Sequence, residues 1–293
     1  VFTPTKAGFK NMKKRVYLSE ERGTRDGNNA VVDSVRHATG TFKGSWYPDT
    51  SPYFLYAFMG TDGVSTPSAG VQLHALSLAD IPPSLTLFRA IDNVATYQLP
   101  YSVVDKLKFS FAADGKVLEM DGSWQGMWGT KMGSPPSRGT DTAKLPYAGY
   151  APIIQLGGVT SNDIEELDIE LEQKIELWFA CNGTQDLVKI YFGERTAKLN
   201  LTARFDADTF YEHYHASTPT DDHVNVAFTG PVIASTFHEE LIFDFPIVGW
   251  DEMDHENSKP LVQVKAKGTA RPGTTINSLF TATVQNAIAA YTL

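Results

Sequence analysis

A strict alternation of apolar and polar residues, punctuated by two-residue turn signals, governs this chain from residue 84 onward. In "DKLKFSFAADGKVLEMDGSW" (105–124), Leu107, Phe109 and Phe111 fall on one side and Lys106, Lys108 and Ser110 on the other. Asp114-Gly115 then reverses the chain, and Leu118, Met120 and Trp124 share the next apolar face. A period of two places successive side chains on opposite faces of a strand, so this stretch predicts a β-hairpin half-buried in a core. "SLTLFRAI" and "VATYQLP" flank Asp92-Asn93 in the same way, and "KIELWFA" and "LVKIYFG" flank Asn182-Gly183. "AKLNLTARF" aligns Leu199, Leu201 and Ala203, and "HVNVAF", "EELIFDFPIV", "KPLVQVKAKG" and "TINSLFTATVQ" continue the habit. About eleven strands of this kind predict a mainly β protein, a β-sandwich or partial barrel.

Helical signals are few. In "YPDTSPYFLYAFMGTDG", Thr50 or Ser51 can cap, Pro52 suits a first turn and Gly60 can terminate. Phe54, Leu55, Phe58 and Met59 recur at helical spacing, which predicts a short helix over 51–59 acting as a plug on one sheet face. The acidic run "SNDIEELDIELEQ" fits either a helix stripe (Ile164, Leu167, Leu171) or a strand (Ile169, Leu171). Residues 60–83 and 126–165 read as insertions, rich in Gly, Pro, Ser and Thr over 60–83 and 126–152. Trp128, Met132, Tyr147 and Tyr150 in the second are unfavourable in water and are expected to dock on another surface.

Charge is unevenly placed. Residues 1–25 carry Lys6, Lys10, Lys13, Lys14, Arg15, Arg22 and Arg25 against Glu20 and Glu21, a net of +5. The whole chain carries −9, so the remaining 268 residues sum to −14. Residues 1–29 are therefore expected to form an extended basic arm on an acidic β domain over 30–293, suited to an acidic partner such as another copy. No apolar run reaches about eighteen residues, so no membrane span is expected, and the N-terminal stretch lacks a signal-peptide core. The single cysteine, Cys181, cannot form an internal disulfide and is expected to be a small core filler. The sequons at Asn182 and Asn200 are read as chance.

No phosphate-binding glycine loop, G-x-S-x-G elbow, C-x-x-C pair or H-E-x-x-H helix occurs. His37, His74, His238 and His255 are scattered. The densest polar cluster is "FDADTFYEHYHASTPTDDH" (205–223). On a strand His213 and His215 would share one side, with His223 as a third ligand. On a helix they lie about 200° apart and cannot share a metal. Asp206 or Asp208 as cap and the Phe210–Tyr214 spacing favour a short helical connection, and neither a metal nor a catalytic site is expected.

The order of segments resembles the tail tube protein family of long non-contractile-tailed bacteriophages. A charged arm with "VYLSEERGTRDG" precedes "HATGTFKGSWYPDTSPYFLYAFMG", then "PPSLTLFRAIDNVATYQLPYSVVDKLKFSFAADGKVLEMDGSWQG". "AKLNLTARFDADTFYEHYHAS" and "FDFPIVGWDE" follow in the family's order of strand, short link and Pro-bearing strand. The resemblance spans residues 15–285 and rests on pattern and order. It implies a β-sandwich or partial-barrel subunit with one or two short helices and long inter-subunit loops. It also implies hexameric rings stacked into a tube that holds the tape-measure protein and conducts DNA. Further partners implied are the tail terminator and tail-tip proteins, in a virion tail assembled in the host cytoplasm. No catalytic residue or cofactor is implied.

On that reading the basic arm residues, with Trp128, Met132, Tyr147 and Tyr150, are candidates for inter-subunit contact. Glu119 and Asp121 are candidates for an acidic lumen that would not hold phosphate, although the pattern leaves open which sheet faces inward. A carbohydrate-binding or glycan-hydrolysing β-sandwich remains an alternative reading, since carboxylate pairs on separate strands leave no sequence motif. A ring protein of the terminator type is the other.

Overall fold

A computed structural model of the chain describes residues 4–18, 30–91, 94–134, 136, 142–204, 221–256, 262–273 and 278–291. The N-terminal half contains β1 (Lys6–Leu18), β2 (Ala30–Ser45), helix α1 (Pro52–Met59), β3 (Gly60–Ser68), β4 (Val71–Leu78), β5 (Leu85–Ile91), β6 (Ala95–Ala112), β7 (Glu119–Gly126) and β8 (Thr130–Met132). Next come β9 (Ile153–Leu156), β10 (Val159–Ser161), β11 (Ile164–Trp178) and β12 (Lys189–Arg204). The chain closes with β13 (Asp222–Ala234), β14 (Phe237–Glu256), β15 (Gln263–Arg271) and β16 (Thr281–Asn286).

One layer runs β1-β2-β7-β6-β11-β12-β15-β14. The twenty-residue β14 belongs to both layers: Ile247–Glu256 pair with β15, while its first half lies between β13 and β16. Beyond β13 the path continues to β9 and β10, and β16 leads to β4 and β3. Aromatic rings join the layers, with Phe109 4.8 Å from Phe243 and Phe111 4.9 Å from Phe228 between ring centres. The fold is thus the mainly β sandwich expected, with its sheet path left open at β1 and β10.

The alternating residues land as their period requires. Leu107, Phe109, Phe111, Leu118, Met120, Trp124, Leu199, Leu201 and Ala203 are all buried. The ambiguous acidic run is a strand, because Leu167, Ile169 and Leu171 fall opposite Phe111, Phe109 and Leu107 of β6 and Leu201, Leu199 and Ala197 of β12. A helix there would have left β6 and β12 each unpaired along one edge.

Three expectations are corrected. The segment 60–83 is largely a hairpin, β3–β4, turning at Gly70 with φ of +76° and continued by β16. Ladder hydrogen bonds need no apolar side chain, so its Gly/Ser/Thr content misled. The described part of the N-terminal segment, Lys6–Leu18, pairs with β2 from Lys6↔Lys43 to Leu18↔Ala30, as a strand of the sheet. Cys181 is exposed beside the β11–β12 turn, where it fills no core.

Helix α1 is the plug expected. Phe54, Leu55, Ala57, Phe58 and Met59 are buried, Phe54 lies 4.2 Å from Phe42, and Gly60 ends the helix at φ +96°. The Ser51 hydroxyl accepts a hydrogen bond from the Tyr47 amide rather than capping the helix.

Glycines under aromatic rings tighten the first layer. Gly40 pairs with Trp124 and Phe42 with Gly122, and Trp250 lies across from Gly268. A Cβ on Gly40 would stand 2.4 Å from the Trp124 ring and 2.6 Å from the Gly8 carbonyl oxygen. Gly40→Val should therefore destabilise the subunit by about 3 kcal/mol in denaturant titration. Gly8→Ala, where a Cβ meets nothing within 4 Å, is the matched control and should leave stability nearly unchanged.

Candidate functional site: surfaces for assembly

The β1–β2 hairpin outruns its sheet. β7 pairs β2 only over Ala38–Ser45, so residues 30–37 and their β1 partners project beyond it. Where the two described strands stop, Val16 faces Val32, Tyr17 faces Val31 and Leu18 faces Ala30. Since neighbouring residues alternate faces, Val16, Val32 and Leu18 occupy one side and Tyr17 and Val31 the other. All five are between 37% and 56% exposed. A ribbon that is apolar on both sides suits insertion between two surfaces rather than docking on one.

Basic residues flank this end. Lys13 and Arg15 both bind Asp33, Arg15 at 3.3 Å, and the Lys13 hydrogen bond in particular holds the Asp33 pKa below its ordinary value. Lys14 is exposed next to them, and Lys6 and Lys10 are exposed further along β1. Arg22 and Arg25 lie outside the described residues. The opposite edge of the layer, around the ends of β6, β11, β12, β14 and β15, carries Asp114, Asp163, Glu165, Glu166, Asp254 and Glu256, against Lys116, Arg204 and Lys265.

Where β7 leaves β2, the tip of the β11–β12 hairpin takes its place. The Arg36 amide donates to the Gln185 carbonyl at 2.9 Å, and the Gln185 side chain donates to the Asp33 carbonyl at 3.3 Å. The Arg36 guanidinium grips Asp186 with two hydrogen bonds, 2.5 and 3.0 Å, and lies 5.5 Å over the Trp128 ring. Val103, Leu187 and Ile190 form a small core of their own that ties this tip to the body. Nothing local in the sequence marks Arg36 or Asp186, because 150 residues separate them.

The Arg36 hydrogen bond depresses the Asp186 pKa, and burial lowers that of the adjacent His37. Signs follow from linkage. A depressed aspartate stabilises above its unfolded pKa and loses this as pH falls through the folded one. A depressed histidine favours opening once pH drops below its unfolded value. Amide protection over 30–37 should thus decline in two steps, below about pH 6.5 and again below about pH 4. His37→Gln should remove the first step and Asp186→Asn the second, as read by hydrogen exchange.

The expected contact residues of the long segment separate. Tyr150 is 77% exposed, Met132 is half-buried in β8, and Trp128 is half-buried under Arg36. Tyr147 is a correction: it is 3% exposed and belongs to the chain's own core. Residues 142–149 form a strap. Thr142 donates to Asp49 at 2.6 Å, Lys144 binds the buried Glu239 at 2.6 Å, and the Leu118 amide donates to the Tyr147 carbonyl at 2.8 Å. Tyr147 does dock, as its aromaticity required, but against Phe228 and Gly230.

The outer face of the first layer is a charge lattice. One row across five strands reads Lys43, Asp121, Lys108, Glu170, Lys198. Lys43 binds Glu119 at 2.8 Å, Lys108 binds Asp168 and Glu170 at 2.8 and 3.1 Å, and Lys267 binds Glu252 at 2.5 Å. Burial opposes the charge on Lys108, but its two carboxylate partners outweigh this and raise its pKa. Glu119 and Asp121 do share this face, yet lysines on adjoining strands offset them, so they do not form an uncompensated acidic patch.

His213 and His215, with the helical link expected around them, lie outside the described residues. His223 stands on β13 and pairs with Asp244 at 2.6 Å. Among the described residues no group of three or more His, Cys, Asp or Glu is placed to hold a metal ion. No helix there is long and apolar enough to cross a membrane.

A sandwich whose conspicuous surfaces are a projecting apolar ribbon and a broad charged sheet is built for association. A family model described as phage tail tube protein matches residues 1–283, and the chain belongs to that family. No curated protein matches it. The protein is therefore a structural component of a phage tail, from a family that self-assembles into a tube, and a non-enzymatic role follows from that membership.

Proposed function

We propose that the chain forms hexameric rings that stack head to tail, with the tape-measure protein in the bore and DNA passing through it at ejection. The observation that carries stacking is the projecting hairpin, apolar on both sides, with basic residues beside its apolar stretch. Its complement on the next ring is the acid-rich opposite edge of the layer. A contact between unlike ends propagates without closing, which is what a tube requires.

The charge lattice supports a role as the bore wall. DNA is held by releasing counterions when lysine and arginine neutralise its phosphates. Lysines already paired with carboxylates on neighbouring strands gain little from phosphate, so a strand slides past without being retained. The tape-measure protein, tail terminator and tail-tip proteins would meet the bore and the two tube ends, with assembly in the host cytoplasm.

Negative-stain micrographs of the concentrated protein test this reading. Stacked-ring tubes with six subunits per ring are expected. Single rings that never stack would instead support a terminator-type protein, and a strict monomer at every concentration would refute ring formation.

A further inference from the structure

We propose that Arg36 is a positioning residue for assembly: it sets the angle at which the β1–β2 hairpin is presented to the next copy. This rests on the reading that the hairpin end makes the ring-to-ring contact.

Two strands alone are marginally stable in water and twist more strongly than strands within a sheet. Beyond Ala38, the β1–β2 ribbon is in that position. β7 stops at Gly126, and the next strand, β6, passes through Tyr101 at φ +50°. An unsupported ribbon of this length would sample many directions. Its apolar end would then seldom point where a neighbouring ring needs it, and ordering it on binding would oppose association.

The strut at Arg36 removes that freedom. Its backbone is held by Gln185, its side chain by both Asp186 oxygens, and the Trp128 ring lies against the guanidinium. Three residues earlier the Asp33 carbonyl is held by the Gln185 side chain. Leu187 and Ile190, just past Asp186, are buried with Val103 of β6. A continuous path therefore runs from the body through the β11–β12 tip to the ribbon, meeting it over residues 33–36, just beyond the point where β7 stops. The planar, two-pronged geometry is specific to arginine, because a lysine can neither engage both carboxylate oxygens in plane nor stack on the indole.

The experiment compares wild type, Arg36→Gln, Arg36→Lys and the exchange Arg36→Asp with Asp186→Arg. Two readouts are used: amide hydrogen exchange over residues 30–36 in the unassembled subunit, and the protein concentration at which tubes first form. Arg36→Gln should speed exchange in that segment about tenfold, leave the body's protection unchanged and raise the threshold concentration at least about tenfold. The charge exchange should restore much of both, and Arg36→Lys should fall between. Unchanged exchange in Arg36→Gln would overturn the strut. Faster exchange with an unchanged threshold would overturn its role in assembly. A separate variant with Tyr17 and Val31 both changed to serine tests the underlying contact: if it assembles normally, the hairpin reading fails whatever Arg36 does.

Discussion

Changing Tyr17 and Val31 together to serine is expected to abolish tube growth while leaving the subunit's thermal unfolding essentially unchanged. Both side chains are about half exposed on the projecting β1–β2 ribbon, so the folded monomer loses little by their removal. Surface substitutions of this kind usually stay within about 0.5 kcal/mol. In the assembled tube each would be buried, at about 1.5 kcal/mol per side chain. The pair then weakens every subunit contact by about 3 kcal/mol, roughly 150-fold. Electron microscopy and sedimentation read the loss, and calorimetry confirms the intact fold. The matching change on the other side, Val16 and Val32 to serine, should have a similar effect, since insertion buries both faces. If only one pair mattered, the hairpin would lie on a surface instead of entering a groove.

The second large effect separates a ring from its hydroxyl. Tyr147→Ala should destabilise the subunit by about 3–5 kcal/mol, as expected for removing a buried aromatic side chain. Its ring fills the space beside Phe228 and above Gly230. Tyr147→Phe should be neutral or slightly stabilising. The hydroxyl finds no hydrogen-bond partner among the described residues, and burial together with the nearby Glu239 carboxylate pushes its pKa far upward. Denaturant titration of the two variants decides this: a large loss for Tyr147→Phe would mean that the hydroxyl, and not packing, anchors the strap.

Hairpins were legible wherever alternation met a turn dipeptide, because a period of two and a reversal are both local properties. Lys108 and Asp121 could be assigned to an outer face from spacing alone. Their mutual opposition across β6 and β7 could not, since register depends on how two whole strands align. The β3–β4 hairpin was hidden for a related reason. Its ladder is completed by β16, some two hundred residues away, and backbone hydrogen bonds leave no mark in side-chain pattern.

The candidate surfaces divide along the same line. Basic residues near the N-terminus and an aromatic-rich long segment were visible as composition. Whether Tyr147 or Tyr150 would remain outside was decided by a strap pinned to Leu118 and Glu239, which turns Tyr147 onto Phe228. The amino-acid sequence by itself determined the strand periodicity, the plug helix with its glycine stop and the uneven distribution of charge, because each depends on neighbours a few residues apart. Tertiary structure alone decided which lysines neutralise which acids, that the N-terminal ribbon outruns its sheet, and that Arg36 and Asp186 brace it. Those are relations between strands, set by where each neighbouring strand ends.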